Sequence, residues 1–414
     1  MTHVDLDLIQ TLALGGATLF LGFAVVAAVP PLRRFNVPAA VVGGLLVAVA
    51  VSVARATGVA TVGFDTTLQT PLMTAFFTSI GLSASLSLLR VGSGQALLFL
   101  ALASVLAVIQ NLIGIGVALA FGEPPLLGVL MSSTALAGGP ATALAFAPQF
   151  EAAGVPAAAT LAVAAAMGGI VLGGLLGGPI ATHLLERDRR LVAGHRDPPF
   201  TAPATAGDYP GRVAYEPDAT APADDEEGSI RDALRALTVL LVAMAVGGIV
   251  SAWLKRAGLT LPGYVGAMLA GAAIRNLDDT TGAIRIPHDL ASKIGAVCLT
   301  LFLTIALVNL KLWELASLAL PLAVNLGLQA AAVAAFCAWL VYPLMGRDYD
   351  AAVMTGGFTG FMLGTTANAM AVMNTLVERF GPAPRAFVVA PIVGAFFIDF
   401  TNAIVITTFL DLLS

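Results

Sequence analysis

The sequence predicts an all-α polytopic membrane protein: ten transmembrane helices plus two re-entrant hairpins, in two inverted repeats. Three observations point there. The 414 residues are 58% hydrophobic and only 11% charged, far below the quarter or so of charged residues in a soluble domain. Apolar stretches of the roughly 20 residues that a helix needs to cross a bilayer recur from end to end. Two further apolar stretches are interrupted by glycine and proline at what would be membrane depth.

The N-terminal segment MTHVDLDLIQ carries aspartates and no Lys or Arg. The first apolar run therefore lacks the basic start of a signal peptide and reads as a retained span. Hydropathy places spans at 8–29, 38–57, 67–89, 95–121 and 156–185, and again at 231–253, 259–275, 288–310, 315–345 and 385–412. Three units follow: a first repeat over 1–185, a linker over 186–230 and a second repeat over 231–414. The linker is rich in proline and charge and poor in large apolar residues, which predicts disorder.

Each repeat contains one difficult stretch. In 124–148 the run Gly138-Gly139-Pro140 cannot continue a regular helix. In 350–376 the run FTGFMLGTTANAM places Gly364 before Thr365 and Thr366. Interrupted backbone is tolerated inside a bilayer only where protein or a water-filled cavity surrounds it, so both stretches are expected to fold back as hairpins. Charge agrees. With both as hairpins, only Arg55, Lys255, Arg256 and Lys311 fall on the face opposite the other basic residues. The positive-inside tendency then puts the linker in the cytoplasm and both termini outside.

The halves also resemble each other. Laying Phe77 of FFTSIGLSASLSLLR on Phe302 of LFLTIALVNLKLWEL sets Gly169 on Gly394 at the same offset. Five spans and one hairpin per half mean that the halves enter the membrane from opposite sides. This inverted repeat is common in secondary transporters, whose sites lie near the midplane at broken helices.

The candidate site residues come from those breaks. Around the first stand Ser132, Ser133, Thr134, Gly138, Gly139 and Thr142; around the second, Thr365, Thr366 and Asn368. Small polar side chains and glycine let a ligand approach the main chain, although the same residues also serve as packing where membrane helices touch. Asp399 stands in an apolar run, with Asn402 on the same helix face. Arg385 lies about 21 Å away along a straight helix at 1.5 Å per residue. An intramembrane carboxylate so placed costs about 2.5–3.5 kcal/mol on insertion scales, which a bound Na⁺ or a proton would offset; a structural partner on another helix is the alternative. Gln110 and Asn111 are adjacent and cannot face one direction, so one is expected to line the site and the other to bond a neighbouring helix. Asn309, Asn325 and Gln329 are further intramembrane polar groups, and Gly169, Gly173 and Gly177 form a close-packing stripe.

Other classes find little support. The four histidines and two cysteines form no metal or nucleophile pattern, so no enzyme activity and no organic cofactor is expected. Asp278 and Asp279 lack a second acidic cluster and are expected in a solvated loop. Basic residues are dispersed, which sets nucleic-acid binding aside.

These residues resemble the bacterial sodium/glutamate symporter family. The likeness is carried by LRRFNVPAAVVGGLL, FFTSIGLSASLSLLR and LAGGPATALAFAPQFE in the first half, and by the run from MGRDYDAAVMTGGFTGFMLGTTANAM to PIVGAFFIDFTNAIVI in the second. The resemblance implies Na⁺-coupled uptake of glutamate or a similar acid, a homodimer in the cytoplasmic membrane, and an elevator-type motion of a hairpin-bearing domain against a scaffold. Spans 1, 2, 6 and 7 would belong largely to that scaffold. Asp399 and Asn402 match the family pattern. The tips differ: Pro140 and Ala141 stand where the family usually has His and Gly, Thr365-Thr366-Ala367-Asn368 replaces an Ala-Thr-Pro run, and Val372 stands where Asn is common. Proton coupling on the same fold, and a channel or non-transporting scaffold, are the rival expectations.

Overall fold

The computed structural model describes residues 2–35, 37–187, 226–256, 261–310 and 318–414. Nearly all of the expected linker, 188–225, lies outside the described residues. The helices are α1 (Leu8–Ala28), α2 (Pro30–Arg34), α3 (Ala39–Ala56), α4 (Gln69–Ser83), α5 (Leu86–Ala120), α6 (Pro125–Val129), α7 (Gly139–Ala152) and α8 (Ala158–Arg187) in the first half. The second half contains α9 (Glu226–Arg256), α10 (Gly263–Thr281), α11 (His288–Val308), α12 (Ala319–Phe336), α13 (Tyr349–Met362), α14 (Thr366–Phe380), α15 (Pro384–Ile392) and α16 (Ile398–Leu413). Wide π-type turns extend α6 over Leu130–Thr134 and α12 over Cys337–Val341, and join α15 to α16 over Val393–Phe397.

Every stretch expected to span carries a helix, and among the described residues seven helices are long and apolar enough to cross a membrane. The protein is thus polytopic. Three expected spans depart from a plain long apolar helix, for different reasons. Helix α4 has 15 residues, because the chain straightens at Ala84 and Ser85 and restarts as α5. Helix α10 ends in a polar turn, and the last span is interrupted by the π segment after Pro391. The sequence expectation of an all-α chain needs one correction. Strands β1 (Thr2–Leu6) and β2 (Ala60–Phe64), before α1 and after α3, pair in parallel.

Local signals explain the main boundaries. Asp7 caps α1 in a capping box with Gln10. Asp348 accepts a hydrogen bond from the Ala351 amide at the start of α13, and Gly282 ends α10 in the left-handed region that a Cβ would disfavour.

The helices pack as two groups. One unites α1, α3, α4, α9, α10 and α11; the other unites α5 to α8 with α12 to α16. Spans 1, 2, 6 and 7 accordingly share a group, which α4 and α11 join. The glycine stripe of α8 does what its spacing suggested. A Cβ on Gly173 would sit 3.2 Å from the Gly360 carbonyl oxygen and one on Gly177 2.8 Å from that of Gly356, so α13 lies backbone against backbone on α8.

Candidate functional site

Both difficult stretches break where expected. The first runs from α6 through a π segment in which Ser132 has non-helical φ/ψ of −112° and −119°, and the helix resumes at Gly139. The second stops at Met362 and resumes at Thr366, with Thr365 capping the new helix by accepting from the Asn368 amide. Gly139 has φ +66°, and a Cβ there would lie 3.1 Å from Thr365 Cγ2 and 3.6 Å from the Gly364 carbonyl oxygen. The two tips therefore touch.

Broken backbone in an apolar interior must find partners, and side-chain amides supply them. Asn325 Nδ2 donates to the Met131 carbonyl at 2.9 Å, the Ser133 amide donates to Asn111 Oδ1 at 3.1 Å, and Asn402 Nδ2 donates to the Ser133 carbonyl at 3.0 Å. Gln110 Nε2 donates to the Met362 carbonyl at the other break, at 2.9 Å. Neighbouring positions on α5 thus hold different breaks. Gln329 Nε2 closes the network by donating to the Gln110 carbonyl at 2.8 Å and to Ser132 Oγ at 2.9 Å. The sequence named Asn325 and Gln329 as polar but gave them no role; their spacing of four along α12, which puts them on one face, is the signal that could have done so.

After these bonds, oxygens are left over. Among the described residues, Ser133 Oγ, Thr134 Oγ1, Asn402 Oδ1, Gln110 Oε1 and Gln329 Oε1 are buried without a hydrogen-bond partner. Asp399 precedes Asn402 by one turn, directly after the π segment, and is half-buried. Among the described residues, neither a hydrogen-bond donor nor a basic side chain reaches its carboxylate. Arg385 is engaged elsewhere, in an ion pair with Asp348.

A cavity of about 460 Å³ joins the two breaks to Asp399, while the leftover oxygens lie behind its walls. Its walls include Gly138 and Thr142 of the first break, Gly364, Thr365 and Thr366 of the second, and Asp399. Thr366 also donates from Oγ1 to the Gly394 carbonyl of the π segment at 3.2 Å, which ties the second tip to the turn before Asp399. The opposite wall comes from the other helix group, through Phe76 and Phe77 of α4 and Thr300 and Leu303 of α11. Residues at the starts of α7 (Pro140, Ala141 and Thr142) and α14 (Thr365, Thr366 and Ala367) line the space, and a helix start carries a positive dipole end.

Not every candidate lines this cavity: Ser133, Gly139 and Asn402 are not among its wall residues. Gln110 and Asn111 stand behind it as braces. Asn368 turns toward α8, donating from Nδ2 to the Ile170 carbonyl at 2.7 Å, and borders a separate cavity of about 590 Å³ with His183, Glu186 and Arg379. Tyr264 of α10 was not foreseen. It stacks on Phe77 at 3.9 Å between ring centroids and, among the described residues, buries a hydroxyl without a partner. A lone tyrosine after a proline carries no sequence signal of this kind.

Comparison with known proteins gives a consistent picture. The family model described as sodium/glutamate symporter matches residues 4–382. Proteins named sodium/glutamate symporter from Escherichia coli (strain K12) and Shigella flexneri are each 40% identical over 410 residues, covering 98% of both chains. One of the same name from Haemophilus influenzae is 37% identical over 398 residues, covering 95% of both.

Proposed function

The chain belongs to the sodium/glutamate symporter family, and on that premise we propose that it couples Na⁺ entry to uptake of glutamate or a closely related carboxylate across the bacterial cytoplasmic membrane. One observation carries the reading. Among the described residues the Asp399 carboxylate has no protein partner, yet it stands on the wall of a cavity that the starts of two helices also line.

Those features have opposite ligand preferences. First-turn amides of α7 and α14, with the hydroxyls of Thr142, Thr365 and Thr366, suit an anion. Asp399 with Asn402 Oδ1, Ser133 Oγ and Thr134 Oγ1 offers one carboxylate and neutral oxygens, a hard donor set suited to a hard cation. Coupling follows from placing both in one small space. With Asp399 ionised and unbalanced, a substrate carboxylate entering the cavity meets a like charge; with Na⁺ beside Asp399, that repulsion vanishes. Neither ligand binds well alone, so they move together. Gly138 and Gly139 belong to the substrate side because they let the anion approach main-chain amides. Gln110, Asn111 and Asn368 act by holding the breaks in place.

The same reading takes α6–α7 and α13–α14 as re-entrant hairpins in two inverted five-span repeats. Both termini lie outside, the linker is cytoplasmic, and the protein works as a homodimer. The hairpin-bearing group carries the cavity against the other group in an elevator-type motion; the cavity's position between the groups supports this. The test is a thermal-shift screen of the purified protein against dicarboxylates and amino acids, with Na⁺ or with choline. Ligand binding to the native state raises its stability. Stabilisation by glutamate or a relative that requires Na⁺ is expected; equal stabilisation in choline overturns the coupling.

A further inference from the structure

The run Asn276-Leu277-Asp278-Asp279, expected in a solvated loop, is instead the end of α10, and it organises a joint. Helices α4 and α5 belong to different packed groups, so the two residues between them, Ala84 and Ser85, form a covalent crossing from one group to the other. Here the backbone is extended, with φ/ψ of −81°/86° and −95°/125°, and its peptide groups lie outside both helices. Asn276 pairs with them as a strand would. Its Nδ2 donates to the Ala84 carbonyl at 2.9 Å, and its Oδ1 accepts from the Leu86 amide at 2.8 Å. Asn276 Nδ2 is itself held by the Ala272 carbonyl at 2.7 Å. Beside it, Ser85 Oγ donates to Asp279 Oδ2 at 2.6 Å, and Arg275 holds the other oxygen of that carboxylate at 3.1 Å.

We infer that Asn276 is a positioning residue for translocation. It fastens the α4–α5 crossing to α10, so that movement of the cavity-bearing group pivots at the start of α5 instead of being lost in slack of the connection. The inference rests on the symport reading above for its consequence, and on the hydrogen bonds alone for the clamp. A carboxamide is the side chain that can do this, because one planar group offers a donor and an acceptor to peptide groups on both sides of a single residue. Alanine offers neither, and aspartate has no donor for the Ala84 carbonyl.

Two measurements on the full-length protein test the inference, each on Asn276→Ala with Thr280→Ala as control; the Thr280 hydroxyl bonds to the Asn276 and Leu277 carbonyls within α10. In hydrogen exchange, the Leu86 amide of Asn276→Ala is expected to exchange roughly fivefold faster or more, the factor for losing about one net hydrogen bond, while the interior of α10 keeps its protection. Unchanged exchange at Leu86 overturns the clamp, whatever the substrate proves to be. In proteoliposomes, Asn276→Ala is expected to lower the maximal uptake rate about tenfold, with half-saturating glutamate and Na⁺-dependent thermal stabilisation unchanged and Thr280→Ala like wild type. Uptake retained at the wild-type rate, or binding lost in step with uptake, overturns the role in translocation. Absence of Na⁺-dependent glutamate binding in the wild type would strike the symport reading and leave the exchange result standing.

Discussion

Replacing Asp399 with Asn keeps the shape of the side chain and removes its charge. The cavity holds about 460 Å³, which makes it roughly 8 Å across, so a substrate carboxylate inside it sits about 4–8 Å from the Asp399 oxygens. At an effective dielectric constant of about 20, two like charges at those distances repel by about 2–4 kcal/mol. Since about 1.4 kcal/mol is tenfold in affinity, Na⁺ is expected to raise glutamate affinity of the wild type by roughly 30-fold or more. In Asp399→Asn that factor should collapse toward unity, because the affinity measured in choline rises. Calorimetric titration of glutamate into detergent-purified protein, in Na⁺ and in choline, reads both numbers. An Asp399→Asn protein that keeps the wild-type ratio would refute the reasoning, as would one whose choline affinity falls.

Further predictions concern the scaffold of the site. Gly139→Ala forces a side chain into the left-handed region beside Thr365, at about 1–2 kcal/mol; uptake should fall sharply while the circular dichroism of the helices is unchanged. Gln329→Leu removes the donor to the Gln110 carbonyl and to Ser132 Oγ, and each lost net hydrogen bond costs about 0.5–1.5 kcal/mol, so the melting temperature should drop and Na⁺-dependent binding weaken. Asp278 is buried, which by itself raises its carboxyl, but the amides of Ile286, Arg285 and Ile284 outweigh this and hold it below the usual carboxylate range. With a depressed folded value, its stabilising contribution is full above the unfolded value of about 3.9 and is lost as pH falls through the folded one. The fall in melting temperature below about pH 4 should therefore be shallower in Asp278→Asn than in wild type.

Much of this was legible in the sequence, for identifiable reasons. Hydropathy located the helices because a bilayer forces every backbone group into a helix or a protected break. Gly138-Gly139-Pro140 and Gly364 marked the breaks because those residues do not fit a regular helix, and Asp399 stood out because an acid among apolar residues needs an explanation. Partnerships were harder to read. Asn276, Asn325 and Gln329 act on backbone more than 190 positions away in sequence, and spacing along one helix says nothing about what lies across from it. The β1–β2 pair was missed because five-residue strands beside long apolar helices contribute almost nothing to a hydropathy window. Asn368 was placed with the cavity residues by its position at the tip, yet the helical turn after Thr365 rotates it onto α8.

The unpartnered acid beside the anion-seeking helix ends is most directly tested by flux. In proteoliposomes clamped at equal pH on both sides, an inward Na⁺ gradient should drive labelled glutamate, or the ligand found in the thermal screen, to a higher concentration inside than outside. Accumulation driven by a pH gradient in sodium-free buffer, or flux that merely equalises the two sides, would contradict the account.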